Sequence, residues 1–190
     1  MVTQIAVNYY KISKRVEEPV RNSRNSACYD IKSCFHEDTV KAVDTSNNIS
    51  TEKVKDVGDY DRAAEPSQSM HQYRYIDLLP GWRYLIPTGI IFDIPDDYSM
   101  RIHPRSGLVW KNGITVANCV ASVFGWDEAK QSLRECEGRV DSDYYHETFV
   151  MLQNVSEKIF TVWDFSRIAQ IEFHADTYMA LREIDTPPGV

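Results

Sequence analysis

The chain lacks the features that would take it to a membrane, a metal cage or a polyanion. No apolar run is long enough to span a bilayer: the most apolar window, residues 84–94, is interrupted by Pro87, Gly89 and Asp93. Residues 1–15 mix Ile5, Val7, Tyr9 and Ile12 with polar residues and do not form a basic stretch followed by an apolar one, so no signal peptide is expected there. Basic residues are the minority, 21 Lys and Arg against 28 Asp and Glu, and the formal net charge of −7 repels nucleic acid and anionic membranes at long range. The cysteines, Cys28, Cys34, Cys119 and Cys136, form no CxxC pair and have no His partner at zinc spacing, which excludes a zinc site and a redox dithiol. The histidines are scattered, so no protein-caged metal is expected. These absences predict a soluble, cytoplasmic protein with reduced thiols. An anionic ligand would have to be held by local charge, for which Arg105, Lys111 and Arg167 are available, with a divalent cation neutralising the ligand itself.

What the chain does have is 190 residues with 43% hydrophobic content, enough for one well-buried domain over residues 1–190. Most patterned segments are short, β-branched or aromatic, and bounded by Gly, Pro, Asn or Asp, which is the signature of an all-β sandwich or barrel. Strands are predicted over 3–12, 83–92, 98–103, 114–120, 148–153, 159–162 and 168–173, with a turn at Ile94-Pro95-Asp96-Asp97. The reading is a jelly-roll β-sandwich.

Two stretches depart from this rhythm. Residues 37–72 are rich in Asp, Lys, Ser, Asn and Glu, and read as a polar surface insertion, either a tolerated loop or a surface for a protein partner. Residues 121–137 read as the one short helix, with Asp127 as its cap, Glu128, Ala129, Lys130, Leu133 and Cys136 along it, and Gly138 as its stop.

Chemistry concentrates in two runs. Pro104-Arg105-Ser106-Gly107-Leu108-Val109-Trp110-Lys111-Asn112-Gly113-Ile114 offers a guanidinium, a hydroxyl and a Gly-flanked backbone in succession, a donor set suited to polyphosphate oxygens. Downstream, Arg139-Val140-Asp141-Ser142-Asp143-Tyr144 sets an acid near an aromatic ring. Each run alone is also an ordinary turn or loop. They are flanked, in order, by Ser26-Ala27-Cys28-Tyr29-Asp30-Ile31 and by Ser166-Arg167-Ile168-Ala169-Gln170-Ile171. The four segments resemble the first four motifs of the trimeric dUTPase family, whose usual forms are close to SAGYDL, PRSGLAxKNGI, GVIDxDYRGE and GDRIAQL. Cys28 replaces a usual Gly, Arg139 an apolar residue, and Tyr145-His146 an Arg-Gly pair. The family's Gly-rich C-terminal motif has no counterpart in the tail, residues 175–190.

The resemblance implies a dUTPase jelly roll and hydrolysis of dUTP between its α and β phosphates, giving dUMP and pyrophosphate. It implies that Asp141 is the base that activates water and that Tyr144 packs on the deoxyribose where a 2′-hydroxyl would sit. Arg105, Ser106, Gly107 and Gln170 would bind phosphates, and Asn118 would read uracil. Mg²⁺ would be bound mainly through the substrate phosphates, and Asp30 either organises water around it or serves as a strand-end acceptor. The family's base-reading hairpin falls where residues 121–137 lie, so that segment either forms a lid or projects harmlessly. A homotrimer with sites shared between subunits is implied as well. A nucleotide-binding regulator that grips a partner through residues 37–72, and a relative of dCTP deaminase, are the alternatives.

Overall fold

The computed structural model describes residues 5–56, 74–119 and 139–177, together with the backbone of 126–127 and 132–133. In chain order the strands are β1 (Asn8–Lys11), β2 (Tyr29–Lys32), β3 (Thr39–Val43), β4 (Ile49–Lys53), β5 (Lys55–Asp56), β6 (Arg74–Leu78), β7 (Arg83–Pro87), β8 (Ile90–Asp93) and β9 (Tyr98–Pro104). After helix α1 (Ser106–Asn112) follow β10 (Ile114–Val116), β11 (Trp126–Asp127), β12 (Ser132–Leu133), β13 (Arg139–Val140), β14 (Phe149–Asn154), β15 (Phe160–Trp163) and β16 (Arg167–Ala175). One sheet runs β10-β14-β7-β3-β4 and another β13-β9-β16-β2, with β15-β6-β5 and the β1-β8 pair completing an antiparallel sandwich. This is the all-β jelly-roll architecture that the strand pattern predicts. Among the described residues no helix is long and apolar enough to cross a membrane.

The core forms because alternate residues of these strands are apolar and face one interior. Ile31 of β2, Met100 and Ile102 of β9, Ile168 and Ile171 of β16 meet Tyr84 and Ile86 of β7 and Val150 and Leu152 of β14, all buried. The segment predicted as one strand over 83–92 is split in two at Gly89, whose φ of 70° is a left-handed conformation that breaks an extended run. The predicted turn at Pro95 forms, with Tyr98 N–H donating to Pro95 O (3.1 Å) and Asp97 at a φ of 67°.

Two expectations are corrected. Residues 37–56 do not form a loop: β3 pairs with β4 and with β7, and Val40, Ala42 and Val54 are buried. Small, alternating apolar residues suffice here because a neighbouring strand completes the hydrogen bonding on one edge. Residues 57–72, the rest of the expected insertion, lie outside the described residues, as do 178–190 of the tail. The helix is α1, not a helix within 121–137; there Trp126 and Asp127 pair antiparallel with Leu133 and Ser132. The rest of 121–137 lies outside the described residues.

Candidate active site

The polar centre of the molecule is Asp30 on β2. It faces Gln170 of β16, which in turn sits opposite His103 of β9, so three neighbouring strands bring Asp30, Gln170 and the end of β9 together. Asp30 is only 4% exposed. A buried carboxylate needs partners, and it has three: Arg167 Nη1 donates to Oδ2 (3.0 Å), Gln170 Nε2 donates to Oδ1 (3.1 Å), and Arg105 Nε lies 3.3 Å from Oδ1. Arg105 also donates from Nη1 to Arg167 O (3.0 Å), which ties the end of β9 to the start of β16. Two guanidiniums are thereby fixed at one end of the sheet, each still partly open to solvent.

Arg105 is the N-cap of α1, in an extended conformation, and Ser106 and Gly107 open the helix fully exposed. Gly107 has no positive φ, and a methyl group added there would meet nothing within 4 Å. Neither backbone conformation nor packing within the chain therefore requires glycine at this position. Gly113 ends the helix in the left-handed conformation, its N–H donating to Val109 O (3.0 Å). A 380 Å³ cavity lies against this end, lined by Arg105, Arg167, Leu108, Phe160 and Trp163. A second, of 480 Å³, includes Asp30, Lys32, Asn22 and Arg167.

Asp141 is elsewhere. Strand β13 pairs with β9 through Arg139↔Arg101 and Val140↔Met100, so Asp141 emerges beside Ser99. Its side chain is 71% exposed, 3.5 Å from Arg139 Nε. Arg139 also pairs with Asp176, which accepts from Ser99 Oγ (2.7 Å). Tyr144 follows in a turn closed by its N–H to Asp141 O (3.1 Å), and its ring is partly exposed, edge-on to His146. From Ser99 to Arg105 is a run of extended chain on β9, roughly 20 Å at ~3.4 Å per residue. Within one chain the exposed acid and the guanidinium pair therefore cannot touch the same triphosphate. Asn118 is in a third place, half-buried in the turn after β10 on the opposite sheet, next to Ala117, whose N–H donates to Met151 O (2.7 Å).

No protein-family model matches the chain. A protein of Rhizobium johnstonii named deoxyuridine 5′-triphosphate nucleotidohydrolase is 40% identical over 109 residues, covering 57% of this chain and 59% of the relative. A Brucella melitensis protein of the same name is 42% identical over 100 residues, 53% of each chain. The chain thus spans between about half and six tenths of the length of these curated relatives. The dUTPase of phage phi11 of S. aureus has a TM-score of 0.59 at 15% identity, over 98% of this chain and 100% of that one. The Staphylococcus bacteriophage 80alpha dUTPase with dUPNHPP scores 0.59 over 98% and 92%. At such identity these structures establish the fold; the curated relatives supply the sequence kinship. The chain thus has the fold of the phage dUTPases and is similar in sequence, over part of its length, to proteins named deoxyuridine 5′-triphosphate nucleotidohydrolase.

The fold places Asp30, Arg105 and Gln170 in one cluster and Asp141 with Tyr144 in another. Motif order alone did not indicate that Arg167 shares the Asp30 carboxylate with Arg105, although its charge had marked it as a candidate. Arg139, one of the departures from the family pattern, turns out to sit between Asp141 and Asp176. Glu147 was passed over as the start of a strand, yet its carboxylate is buried and bonded to Gly89 N–H (2.7 Å). The signal that could have found it is the third motif itself, GVIDxDYRGE, whose last residue falls on Glu147.

Proposed function

We propose that the chain is a dUTP diphosphatase, converting dUTP and water to dUMP and pyrophosphate, thereby supplying dUMP and keeping uracil out of DNA. The observation that carries this reading is the clamp of Arg105, Arg167 and Gln170 on the buried Asp30. It holds two cations and an amide rigidly at one sheet end with their remaining N–H groups free to face an anion. Donors held in place before the ligand arrives cost no reorganisation as charge builds on the leaving pyrophosphate. Ser106 adds a hydroxyl, and Gly107 leaves the backbone open to a phosphate. Asp141, exposed at the other sheet end, is the base that takes the proton from the attacking water, and Tyr144 packs on the deoxyribose and leaves a 2′-hydroxyl no partner. Asn118 reads the uracil edge.

Because roughly 20 Å of strand separates Asp141 from Arg105, a complete site takes its acid from one copy and its phosphate grip from another, which fits a homotrimer with shared sites. Both oxygens of Asp30 already accept hydrogen bonds, so this carboxylate fits a cation only through intervening water, and Mg²⁺ is held mainly by the substrate phosphates. When bound, the cation offsets phosphate charge.

The test is pyrophosphate release from dUTP, dCTP, dTTP and UTP with Mg²⁺, for the chain and for Asp141→Asn. Turnover confined to dUTP, falling by roughly 10²–10⁴-fold in the variant while dUTP still binds, is the expected result. Tight dUTP binding without turnover in the unaltered chain would replace the hydrolase with a nucleotide-binding regulator.

A further inference from the structure

His36 and Glu147 face each other beneath the turn that carries Asp141 and Tyr144. The Glu147 side chain is 11% exposed; its Oε1 accepts the Gly89 N–H (2.7 Å) and its Oε2 lies 3.3 Å from His36 Nε2. The other ring nitrogen, Nδ1, is 3.1 Å from Cys34 O. Both nitrogens therefore look at oxygen acceptors. A neutral imidazole has one N–H and can satisfy only one of them; the other nitrogen would turn a lone pair toward an oxygen. The arrangement is satisfied by one additional proton, carried either as imidazolium on His36 or as a neutral carboxyl on Glu147. Burial pushes the Glu147 carboxyl above its ordinary value, opposed by the Gly89 N–H and by His36 and reinforced by Glu37. Asp164, Arg15 and Arg74 act on the neighbouring Cys34 thiol, as does Glu147 itself.

The Asp141–Tyr144 turn is tied to Glu147. Tyr144 O–H donates to the Glu147 carbonyl (3.2 Å), and the turn closes through Tyr144 N–H to Asp141 O. Thr148, the next residue, is held on both sides, by its own N–H to Ile90 O (2.8 Å) and by Thr88 Oγ1 donating to its carbonyl (2.6 Å). The side-chain anchor of Glu147 is thus the last fixed point before a turn whose other members are largely exposed.

We infer that His36 and Glu147 share one proton, and that this pair positions the segment bearing Asp141 and Tyr144. Its catalytic consequence rests on the dUTP diphosphatase reading. Neither residue touches substrate; both are positioning residues. Loss of the shared proton to solvent as pH rises leaves one ring nitrogen turning a lone pair toward either Cys34 O or Glu147, so the tie loses one of its two hydrogen bonds and the turn loosens. Chemistry then suffers more than binding, because Asp141 is misplaced while the phosphate grip is intact.

The experiment compares the unaltered chain with His36→Gln and Glu147→Gln. Glutamine at position 36 offers a donor without a titration, and glutamine at position 147 keeps an acceptor for Gly89. Backbone amide exchange over 141–148 is measured from pH 6 to 9, corrected for intrinsic exchange, beside kcat and KM for dUTP. Expected is protection of this segment that declines with pH in the unaltered chain and is lower and pH-independent in His36→Gln. In that variant kcat should fall about tenfold at pH 7 with KM changed by less than about threefold. Glu147→Gln should reproduce both effects. Equal protection in all three chains at every pH would overturn the inference, whatever the activity. A failure of the unaltered chain to turn over dUTP would overturn the hydrolase reading alone, and the exchange comparison would still decide the tie.

Discussion

Two glycines at either end of one short helix separate what the fold requires from what a ligand requires. Gly113 adopts a φ of 65°, and a methyl group there would come within 2.9 Å of Ser156 Cβ and 3.2 Å of its backbone nitrogen. Alanine at this position is strained by conformation and by contact, and Gly113→Ala should lower stability by about 1–2 kcal/mol, read as a drop in the denaturant midpoint. Gly107 has neither constraint. Gly107→Ala should leave stability unchanged or raise it by up to about 1 kcal/mol, since alanine favours a helix over glycine. It should nevertheless slow dUTP turnover, because the new methyl occupies the space through which a phosphate reaches the backbone. A fall in stability with turnover intact would show that the glycine serves the fold instead. The sequence placed both glycines in one motif without separating these roles, since a motif records residue identity and not φ. In the same way it supplied Asp30, Arg105 and Gln170 through their order along the chain. It could not supply their joint hold on one carboxylate, which exists only once β2, β9 and β16 lie side by side.

At the scale of elements, the sheet β13-β9-β16-β2 has an apolar inner face and an outer face that carries Asp30, His103, Gln170, Glu172 and His174. Glu172 Oε1 is 2.7 Å from both His103 Nε2 and His174 Nε2. Partial burial raises its carboxyl, but the contacts with His174 and His103 together outweigh that and hold it below the ordinary glutamate value. A carboxyl depressed in the folded state contributes stability that is complete above the unfolded value of about 4.3 and is lost as pH falls through the lower folded value. Glu172→Gln should therefore flatten the acid limb of the Tm-against-pH curve between about pH 5 and 3; parallel curves for the two chains would refute the assignment. Two of its four strands were legible, because Tyr98–Pro104 and Arg167–Ala175 alternate over many residues, whereas the short β2 and β13 were not predicted. The hairpin β3–β4 was not, because its inward residues, Val40 and Ala42, are too small to stand out against polar neighbours and are buried only by the pairing with β7. Within 121–137, where a helix was expected from capping signals, the described residues Trp126–Asp127 and Ser132–Leu133 pair as strands instead, a cross-strand pairing that local capping signals do not register.

For the molecule as a whole, the distance along β9 bears on the proposed assembly. The guanidinium cluster and Asp141 occupy opposite ends of one sheet, and in the proposed enzyme each is half of a site. A head-to-tail contact in which one copy's Asp141 meets the next copy's Arg105 closes into a ring when the rotation fits, and in the proposed trimer it makes three equal sites. Inactivating different halves in different copies then has a quantitative outcome. Asp141→Asn copies retain the phosphate grip, and Arg105→Gln copies retain the acid; each alone should be inactive. Co-expressed or co-refolded in equal amounts, the acid at any shared site comes from an intact donor with a chance of one half, and so does the grip. Activity should therefore return to about one quarter of the unaltered level. Mixing preformed assemblies without exchange should restore nothing, which separates shared sites from a simple contaminant. If the co-refolded mixture stays as inactive as its components, each site lies within one copy and Asp141 is not the base that serves Arg105.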